Sequence, residues 1–278
     1  NQKRLKQMVS DQIYEKEENN NLMIGILSHV VEFRNSESGE HILHIRMVTE
    51  RLLRRLIQKT DQYQLSESDI AMITTAAALH DIGKINVPES ILNKPGKLTQ
   101  EEFEIIKTHT TIGADIIDQM ISKSEKPLLR IAWEICRWHH ERWDGHGYPD
   151  GLIGEQIPIS AQVVALADVY DALISKRCYK NAYDHETAMD MIMSGECGAF
   201  NPLLLKCLYE ISPELRMAVQ GNMGEEAYRQ EADRLAAEIM KKKSTPCSDR
   251  AQCMLESMQE QLEFFASLNG GIQFEYDH

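Results

Sequence analysis

The sequence has no apolar run long enough to cross a membrane. A membrane-spanning helix needs about 20 consecutive apolar residues, and the most apolar segment, residues 161–174, is interrupted by Asp168 and Asp171. Residues 1–11 are polar and contain no apolar core of the kind a signal peptide requires. We therefore expect a cytoplasmic protein with no membrane anchor.

The chain also lacks cysteine pairs and an excess of positive charge. None of its six cysteines forms a Cys-x-x-Cys pair, so we interpret all six as reduced thiols. The 30 Lys and Arg residues are outnumbered by 43 Asp and Glu, which gives a formal net charge of −13 at pH 7. Polymeric nucleic acids are bound through a basic face, so no such partner is expected. An anionic substrate would need local positive charge from metal ions or a few basic side chains.

No alternating strand pattern runs through the body of the chain. Helix-forming residues dominate instead, with apolar side chains at helical spacing, and the predicted class is all-α. Ser66 with Asp69, and Thr99 with Glu102, have the capping-box arrangement that begins a helix. Helices are predicted over residues 9–34, 39–58, 67–81, 100–121, 127–140, 159–175, 184–194, 201–211, 214–243 and 249–267, with loops marked by Gly and Pro at 82–98 and 144–158.

The most informative stretch runs from His139 to Pro149. Two adjacent histidines end an apolar helix and lead into a loop of charges, glycines and a proline. Imidazole nitrogens are common metal ligands, and glycines let the backbone approach a substrate closely. Neighbouring side chains on a helix point about 100° apart. His139 and His140 can therefore contact one metal only if the helix ends there; otherwise they contact different atoms of one cluster.

A second pair, His80-Asp81, lies at the end of another apolar helix and is followed by Lys84. Burying an imidazole and a carboxylate side by side costs free energy unless a metal or a hydrogen-bond partner compensates. The pattern favours a metal site with a phosphate-binding cation nearby. A core histidine satisfied by hydrogen bonds is the alternative.

Other candidates carry weaker signals on their own. Glu37 and His41 are four residues apart at a helix start, so they could point into one pocket or lie on a solvated face. His109 lies in a helix whose inner face we expect to include Phe103, and a lone histidine there is most simply a packing or capping residue. Asp168 interrupts an apolar run, where a buried, hydrogen-bonded carboxylate is the alternative. The occurrence of all these residues together predicts a metal site.

In order along the chain, these residues resemble the HD-GYP family, a bacterial branch of the HD metal-dependent phosphohydrolases that cleaves cyclic dinucleotides, chiefly cyclic di-GMP. The likeness covers residues 25–211 and implies an HD-superfamily helical bundle with an extra N-terminal connector and C-terminal helices. The matching residues are Glu37, His41, His80 to Lys84, Val87-Pro88, Lys94 to Thr99, His109, His139 to Pro149, Asp168, Asp171, Arg177, Tyr179 and Lys180.

The resemblance implies a centre of two or three divalent transition-metal ions, with iron or manganese favoured. An acidic residue at the position of Glu37 accompanies a third metal in this family. Asp81 and Lys84 are the expected catalytic residues, because a carboxylate can bridge two metals and an ammonium can bind a phosphate. The implied metal ligands are Glu37, His41, His80, Asp81, His109, His139, His140 and Asp168. The implied substrate-binding residues are Lys84, Tyr148, Asp171, Arg177 and Lys180.

The implied activity is hydrolysis of cyclic di-GMP to pGpG, with further cleavage to GMP left open and cyclic GMP-AMP as a close variant substrate. The alternative is a signalling module that binds a cyclic dinucleotide or a partner protein without turnover. The complete ligand set favours the enzyme, because a pure binding module does not need every metal ligand. A broader HD nucleotidase is a more distant alternative, against which the loop through Tyr148 and Pro149 argues.

The organisation of the chain suggests a piece of a larger response-regulator-like signalling protein, with a flexible tail as an equally simple interpretation of its end. We expect a helical connector (1–24), the HD-GYP catalytic domain (25–211), a C-terminal helix of that domain (212–243), and a linker helix with the start of a following segment (244–278). The polar lead resembles connectors to a receiver or other sensory domain. A diguanylate cyclase could dock on the loop near Tyr148, and the terminal helices could form a homodimer.

Three positions depart from the family's pattern. His44 stands where the family usually has an Arg, Cys178 replaces a Pro, and Asn201 replaces an Asp. None of the three is an implied metal ligand, so the departures bear on substrate affinity and local packing.

Overall fold

Helices make up most of the part of the chain that the computed structural model describes, and these residues contain no β-strand. The prediction of an all-α fold is confirmed. The described residues are 24–25, 28, 31, 40–121, 126–175 and 182–220. We number their helices α1 (Glu40–Lys59), α2 (Glu67–Ala77), α3 (Glu89–Leu92), α4 (Gln100–Ile121), α5 (Pro127–Trp138), α6 (Ile159–Ile174), α7 (His185–Met193) and α8 (Pro202–Gln220), with 3-10 turns at Ile82–Asn86 and Gly154–Gln156.

The helix starts follow local sequence signals. Ser66 and Asp69 form the predicted capping box at α2, in which each side chain accepts the other's backbone N–H. Thr99 and Glu102 form the second one at α4, with N–O distances of 2.7 and 3.2 Å. Pro127 occupies the first turn of α5, where a missing N–H costs nothing. Both predicted capping boxes are confirmed.

Helix α6 forms the centre of the bundle and packs against α1, α5 and α7. Most of its residues are buried, among them Leu166 and Tyr170, which have no exposed surface. Leu52 and Leu56 of α1 are buried in the same core. Because Asp168 lies on this central helix, its carboxylate lies near the centre of the bundle. Among the described helices, none combines the length and the apolar character that a membrane span requires.

The predicted loop at 82–98 contains the short helix α3, the helix predicted over 127–140 ends at Trp138, and two further helix boundaries differ from the sequence prediction. Helix α2 ends at Ala77 instead of residue 81, because the chain tightens into i→i+3 hydrogen bonds, such as Leu79 N–H to Ala76 O (2.9 Å). Helix α8 continues through Pro213, where a break was expected. The proline lies on the exposed side, while Ile211 and Leu215 keep the buried face of the helix packed on both sides of it.

The expected segment boundaries are not tested by these helices and stay predictions. Helix α8 crosses the predicted boundary between residues 211 and 212. The connector up to residue 23 and everything after residue 220 lie outside the described residues.

Gly83 lets the turn after α2 lie directly against α4. A Cβ at this position would meet the carbonyl oxygen of His109 at 1.9 Å and the backbone nitrogen of Gly113 at 2.5 Å. Both neighbours are backbone atoms of a helix and have little room to move. The close approach brings the segment that carries Asp81 next to the segment that carries His109.

Glu141 organises the loop that follows α5. Its side chain is only 2% exposed, and its carboxylate accepts three backbone N–H groups, from Asp150 (2.7 Å), Gly151 (3.1 Å) and Leu152 (3.0 Å). Arg137 holds the same loop through a forked pair of bonds to Asp150, at 2.7 and 2.8 Å. These contacts fix the loop from residue 141 to residue 152 over the end of α5.

The first prediction concerns the Gly83 contact. Substitution of Gly83 by Ala should lower the free energy of unfolding by about 1 to 3 kcal/mol or more, because the added methyl group overlaps helix backbone. Urea unfolding followed by circular dichroism measures the change. Gly25→Ala is the matched control, since no atom lies within 4 Å of a Cβ there. Equal stability of the two variants would contradict the contact.

The second prediction concerns the Glu141 carboxylate. Glu141→Gln keeps the side-chain shape but turns an amide N–H₂ towards at least one backbone donor, so we expect a loss of about 2 kcal/mol or more in unfolding free energy. Limited proteolysis should cut the loop between residues 141 and 152 faster than in the wild type. The exposed Glu89, changed to Gln, should alter neither measurement. An unchanged proteolysis rate in Glu141→Gln would show that the carboxylate does not hold the loop.

Candidate metal centre

Residues from five separate segments converge at the centre of the bundle. His41 comes from α1, His80 and Asp81 from the turn after α2, His109 from α4, and Asp168 from α6. His139 and His140 come from the end of α5, which stops at Trp138 with His139 as its C-cap. The requirement that the helix end at this pair is therefore met. Glu37, Arg177 and Lys180 lie outside the described residues.

Three of the histidines have the same hydrogen-bond arrangement. Each donates its Nδ1–H to a backbone carbonyl three or four residues earlier: His80 to Ala77 (2.9 Å), His109 to Ile106 (2.6 Å) and His139 to Ile135 (2.8 Å). A carbonyl oxygen can only accept, so the proton must be on Nδ1 and the lone pair of the neutral ring on Nε2. Metal-binding histidines are oriented in this way.

The Nε2 atoms point towards one another and towards Asp81. The Nε2 atoms of His109 and His139 are 3.3 Å apart. Asp81 Oδ1 is 3.3 Å from His109 Nε2 and 3.8 Å from His139 Nε2, while Asp81 Oδ2 is 3.2 Å from His80 Nε2. The carboxylate therefore presents one oxygen to each side of the cluster.

The ligand atoms fall into two groups that share this region. In each group the possible ligand atoms lie within 4.8 Å of one another. The first group consists of His109, His139 and His140, and the second of His41, His80 and Asp81. The coarse prediction of a metal-binding arrangement of His and Asp side chains is thus supported by their geometry.

Burial and neighbouring charges shift the ionisation of the cluster. Burial lowers the pKa of His139 to about 3, with help from His80 and His109, and it also holds the pKa of His140 well below its usual range. For His80 burial acts in the same direction, but the Asp81 and Asp168 carboxylates outweigh it and raise the pKa. His139 and His140 are therefore neutral near pH 7, as metal ligands must be.

Asp81 is ionised despite its burial. Desolvation alone would raise the pKa of this carboxyl group, but Lys84 and His80 hold it well below its usual range. The Lys84 ammonium is 2.6 Å from Asp81 Oδ2. Asp168 is farther out, with one oxygen 4.0 Å from His80 Nε2.

The polar atoms of the cluster are satisfied better by a bound cation than by hydrogen bonds among the side chains themselves. Within the described part of the chain, the buried atoms His80 Nε2 and Asp81 Oδ1 make no hydrogen bond. The facing Nε2 lone pairs of His109 and His139 repel unless a proton or a metal lies between them. Imidazole and carboxylate donors suit divalent transition metals but do not select one of them.

Asp171 lies on the buried side of the cluster and not on its solvent-exposed side. Its side chain has no exposed surface, and its oxygens are bonded to His41 Nδ1 (2.5 Å), His44 Nδ1 (2.7 Å) and Ser175 Oγ (3.0 Å). The predicted substrate contact for Asp171 does not agree with this position, because a substrate cannot reach a buried carboxylate whose oxygens are already engaged. Its bond to His41 instead fixes the proton of that ring on Nδ1.

Tyr148 forms the outer wall of the cluster. Its ring stacks on His140, with centroids 4.8 Å apart and an interplanar angle of 26°. Phe103 meets the Tyr148 ring edge to face at 6.4 Å, and the Lys107 ammonium lies 5.0 and 5.4 Å from the two ring centroids. The expectation that Phe103 lies on the inner face of its helix is wrong: the residue is 40% exposed.

Sequence reasoning missed the roles of three polar residues. His44, noted only as a departure, shares Asp171 with His41. Glu141, quoted within the motif but given no role, holds the loop through three N–H groups. Asn201 bonds Gln162 (2.9 Å) and Tyr63 (3.1 Å) in the core. A single polar side chain in a sequence carries no signal that identifies partners of this kind.

The chain matches the HD domain family over residues 22–200. It is 43% identical over 183 residues to a probable cyclic di-GMP phosphodiesterase of Vibrio cholerae, with 64% of this chain and 41% of that protein covered. It is 39% identical over 203 residues to the 3′3′-cGAMP-specific phosphodiesterase 2 of the same organism, with 69% of this chain and 37% of that protein covered. The chain thus spans about two fifths of the length of these relatives.

The fold is similar to that of a solved structure. The crystal structure of a cyclic GMP-AMP-specific phosphodiesterase of V. cholerae superposes with a TM-score of 0.51 at 18% identity, covering 74% of this chain and 52% of that one. At this identity the likeness supports the helical fold alone. The family match over residues 22–200 and the sequence from His139 to Pro149 lead to one conclusion: the chain belongs to the HD domain family, in its HD-GYP branch.

Proposed function

We propose that this chain is a metal-dependent phosphodiesterase that hydrolyses cyclic di-GMP to pGpG. One observation carries the proposal: the Asp81 carboxylate lies between two groups of inward-pointing imidazoles, with one oxygen 3.3 Å from His109 Nε2 and the other 3.2 Å from His80 Nε2. A carboxylate with one oxygen on each side is suited to hold two cations close together. The names of the relatives from V. cholerae support the same class of substrate.

The proposed ligands would hold two metal ions on the two sides of Asp81. His109, His139 and His140 would bind on one side, and His41 and His80 on the other. Asp168, near His80, would complete the set. Bound divalent transition metals acidify water and offset negative charge on a phosphoryl group. Iron or manganese, and a third ion held with Glu37, stay proposals carried by the family resemblance.

The chain's own residues would position the substrate around this centre. Lys84, whose ammonium is now paired with Asp81, is the basic side chain closest to that carboxylate among the described residues and would bind a phosphate oxygen. Tyr148 would form the wall beside His140. Arg177 and Lys180 are proposed as further phosphate contacts on the family pattern alone. Asp171 is proposed as a positioning residue for His41 instead of a substrate contact.

The substrate preference and the partners of the chain are also proposals. Cyclic GMP-AMP is a close variant substrate, because one V. cholerae relative is named for it. An upstream receiver or other sensory domain, a diguanylate cyclase that docks near Tyr148, and a homodimer stay predictions from the sequence. The cytoplasmic location and the final cleavage to GMP also stay predictions.

The third prediction tests catalysis. Asp81→Asn removes one of the two carboxylate oxygens, so turnover of cyclic di-GMP by the manganese- or iron-loaded chain should fall by about 100-fold or more. Chromatography of the products measures the rate and separates pGpG from GMP. Asp61→Asn, an exposed loop carboxylate, is the control and should leave turnover unchanged.

Three outcomes decide this proposal. Hydrolysis by the wild type that is lost in Asp81→Asn supports the phosphodiesterase. A wild type that binds metals and cyclic di-GMP but never cleaves it contradicts the proposal and leaves a binding module. A wild type that cleaves cyclic GMP-AMP at least ten times faster than cyclic di-GMP keeps the reaction class and replaces the substrate.

The fourth prediction tests the positioning role of Asp171. Asp171→Asn removes the negative charge that fixes the His41 tautomer, and loss of such a partner lowers metal affinity by about 10- to 100-fold. Competition with a chelating dye measures the affinity for Mn²⁺. Ser175→Ala, which removes only the hydroxyl donor to Asp171, should have a much smaller effect. Unchanged affinity in Asp171→Asn would show that the carboxylate does not support the site.

A further inference from the structure

Phe103 and Lys107 lie one turn apart on α4 and have no role in the metal centre. A single exposed apolar side chain is normal on a protein surface and needs no explanation by itself. What distinguishes Phe103 is its surroundings: an aromatic ring, 40% exposed, that contacts another aromatic ring and lies beside an ammonium group.

A continuous series of rings connects Phe103 with the metal cluster. The ring centroids are 6.4 Å apart for Phe103 and Tyr148, 4.8 Å for Tyr148 and His140, and 5.1 Å for His140 and His109. Phe103 lies six residues before His109 on the same helix, about 9 Å along its axis. A phosphate beside the histidines would therefore leave the attached ribose and base directed towards a rim that contains Phe103.

Phe103 is the exposed aromatic ring that this rim offers to a base. Tyr148 is partly buried, and one face of its ring is stacked on His140. Phe103 makes an edge-to-face contact with Tyr148, has the Lys107 ammonium 5.0 Å from its centroid, and is 40% exposed. An exposed aromatic ring stacks with any nucleobase, because every base has a π-face.

Lys107 is held in place between the two rings. One of its three N–H groups is bonded to Glu104 Oε1 at 2.8 Å, and the two aromatic rings attract the charge. The ammonium lies over the Phe103 ring, 5.0 Å from its centroid, so its remaining donors are within reach of a base that stacks on this ring. Guanine offers two acceptors, O6 and N7, along one edge, and lysine is a common partner for them.

We propose that Phe103 and Lys107 form a purine-binding platform for one base of the substrate, with Phe103 stacking on the base and Lys107 donating to its edge. The inference rests on the proposed function, because it assigns a substrate contact to the rim of the same site. It adds two substrate-binding residues that sequence reasoning had placed in the core or left unassigned.

The fifth prediction separates base binding from phosphate chemistry. Bis(p-nitrophenyl) phosphate contains a phosphodiester but no purine, so its hydrolysis reports the metal centre without the platform. In Phe103→Ala, the ratio of kcat/KM for cyclic di-GMP to that for bis(p-nitrophenyl) phosphate should fall about tenfold, through KM, because a stacked base contributes binding free energy of this order. Phe103→Tyr should restore the ratio.

Ile105→Ala is the matched control for the loss of an exposed apolar side chain. Ile105 is 39% exposed and lies on the same helix, two residues from Phe103 and on a different face. The ratio should remain that of the wild type in this variant. A fall as large as in Phe103→Ala would overturn the platform, because it would point to a general disturbance of α4.

Lys107→Met keeps most of the length of the unbranched side chain and removes its charge. The KM for cyclic di-GMP should rise several-fold while the KM for bis(p-nitrophenyl) phosphate does not change. Equal weakening of both substrates would assign Lys107 to the phosphate and overturn its part of the proposal.

Calorimetric binding of cyclic di-GMP to the metal-loaded chain keeps the two proposals apart. If the wild type binds cyclic di-GMP without cleaving it, the proposed function fails, and the platform still predicts a dissociation constant about tenfold higher in Phe103→Ala. If the wild type cleaves cyclic di-GMP and Phe103→Ala binds and cleaves it equally well, the platform alone is overturned. If the wild type neither binds nor cleaves cyclic di-GMP, both proposals are overturned.

Discussion

The arrangement of the site depends on three hydrogen bonds that turn imidazole nitrogens inward. His80, His109 and His139 each donate Nδ1–H to a carbonyl of the preceding turn, so their Nε2 lone pairs face a common centre. The Nε2 atoms of His109 and His139 are 3.3 Å apart in a buried space, and their lone pairs repel one another. The bundle therefore contains a site where a positive charge lowers the free energy, and burial keeps His139 neutral and able to bind it.

The rest of the bundle brings this centre together. Gly83 allows the turn with Asp81 to contact the backbone of α4 beside His109. Asp171, on the buried central helix, orients His41 from α1. Glu141 fixes the loop that carries Tyr148, whose ring covers His140. The Gly83 and Asp171 contacts join segments far apart in sequence, so the cluster exists only in the folded chain and adds repulsion that packing must offset.

The sequence predicts much of the fold and the cluster, because both are encoded locally. Capping boxes and apolar spacing mark the helices, and His80-Asp81 and His139-His140 are adjacent pairs at helix ends. Asp171 could not be assigned correctly in this way, because its partner His41 is 130 residues away. The same applies to Phe103, whose spacing fits an inner face although it is 40% exposed and contacts Tyr148 of the following loop. Long-range contacts of this kind decide which side of a helix faces the core.

The central claim is that cations bind on both sides of Asp81, and anomalous diffraction from crystals of the manganese-loaded chain tests it most directly. We expect at least two anomalous peaks, one bounded by Asp81 and the His109, His139 and His140 imidazoles and one bounded by Asp81, His41 and His80. A single peak away from Asp81, or no peak at saturating Mn²⁺, would contradict it.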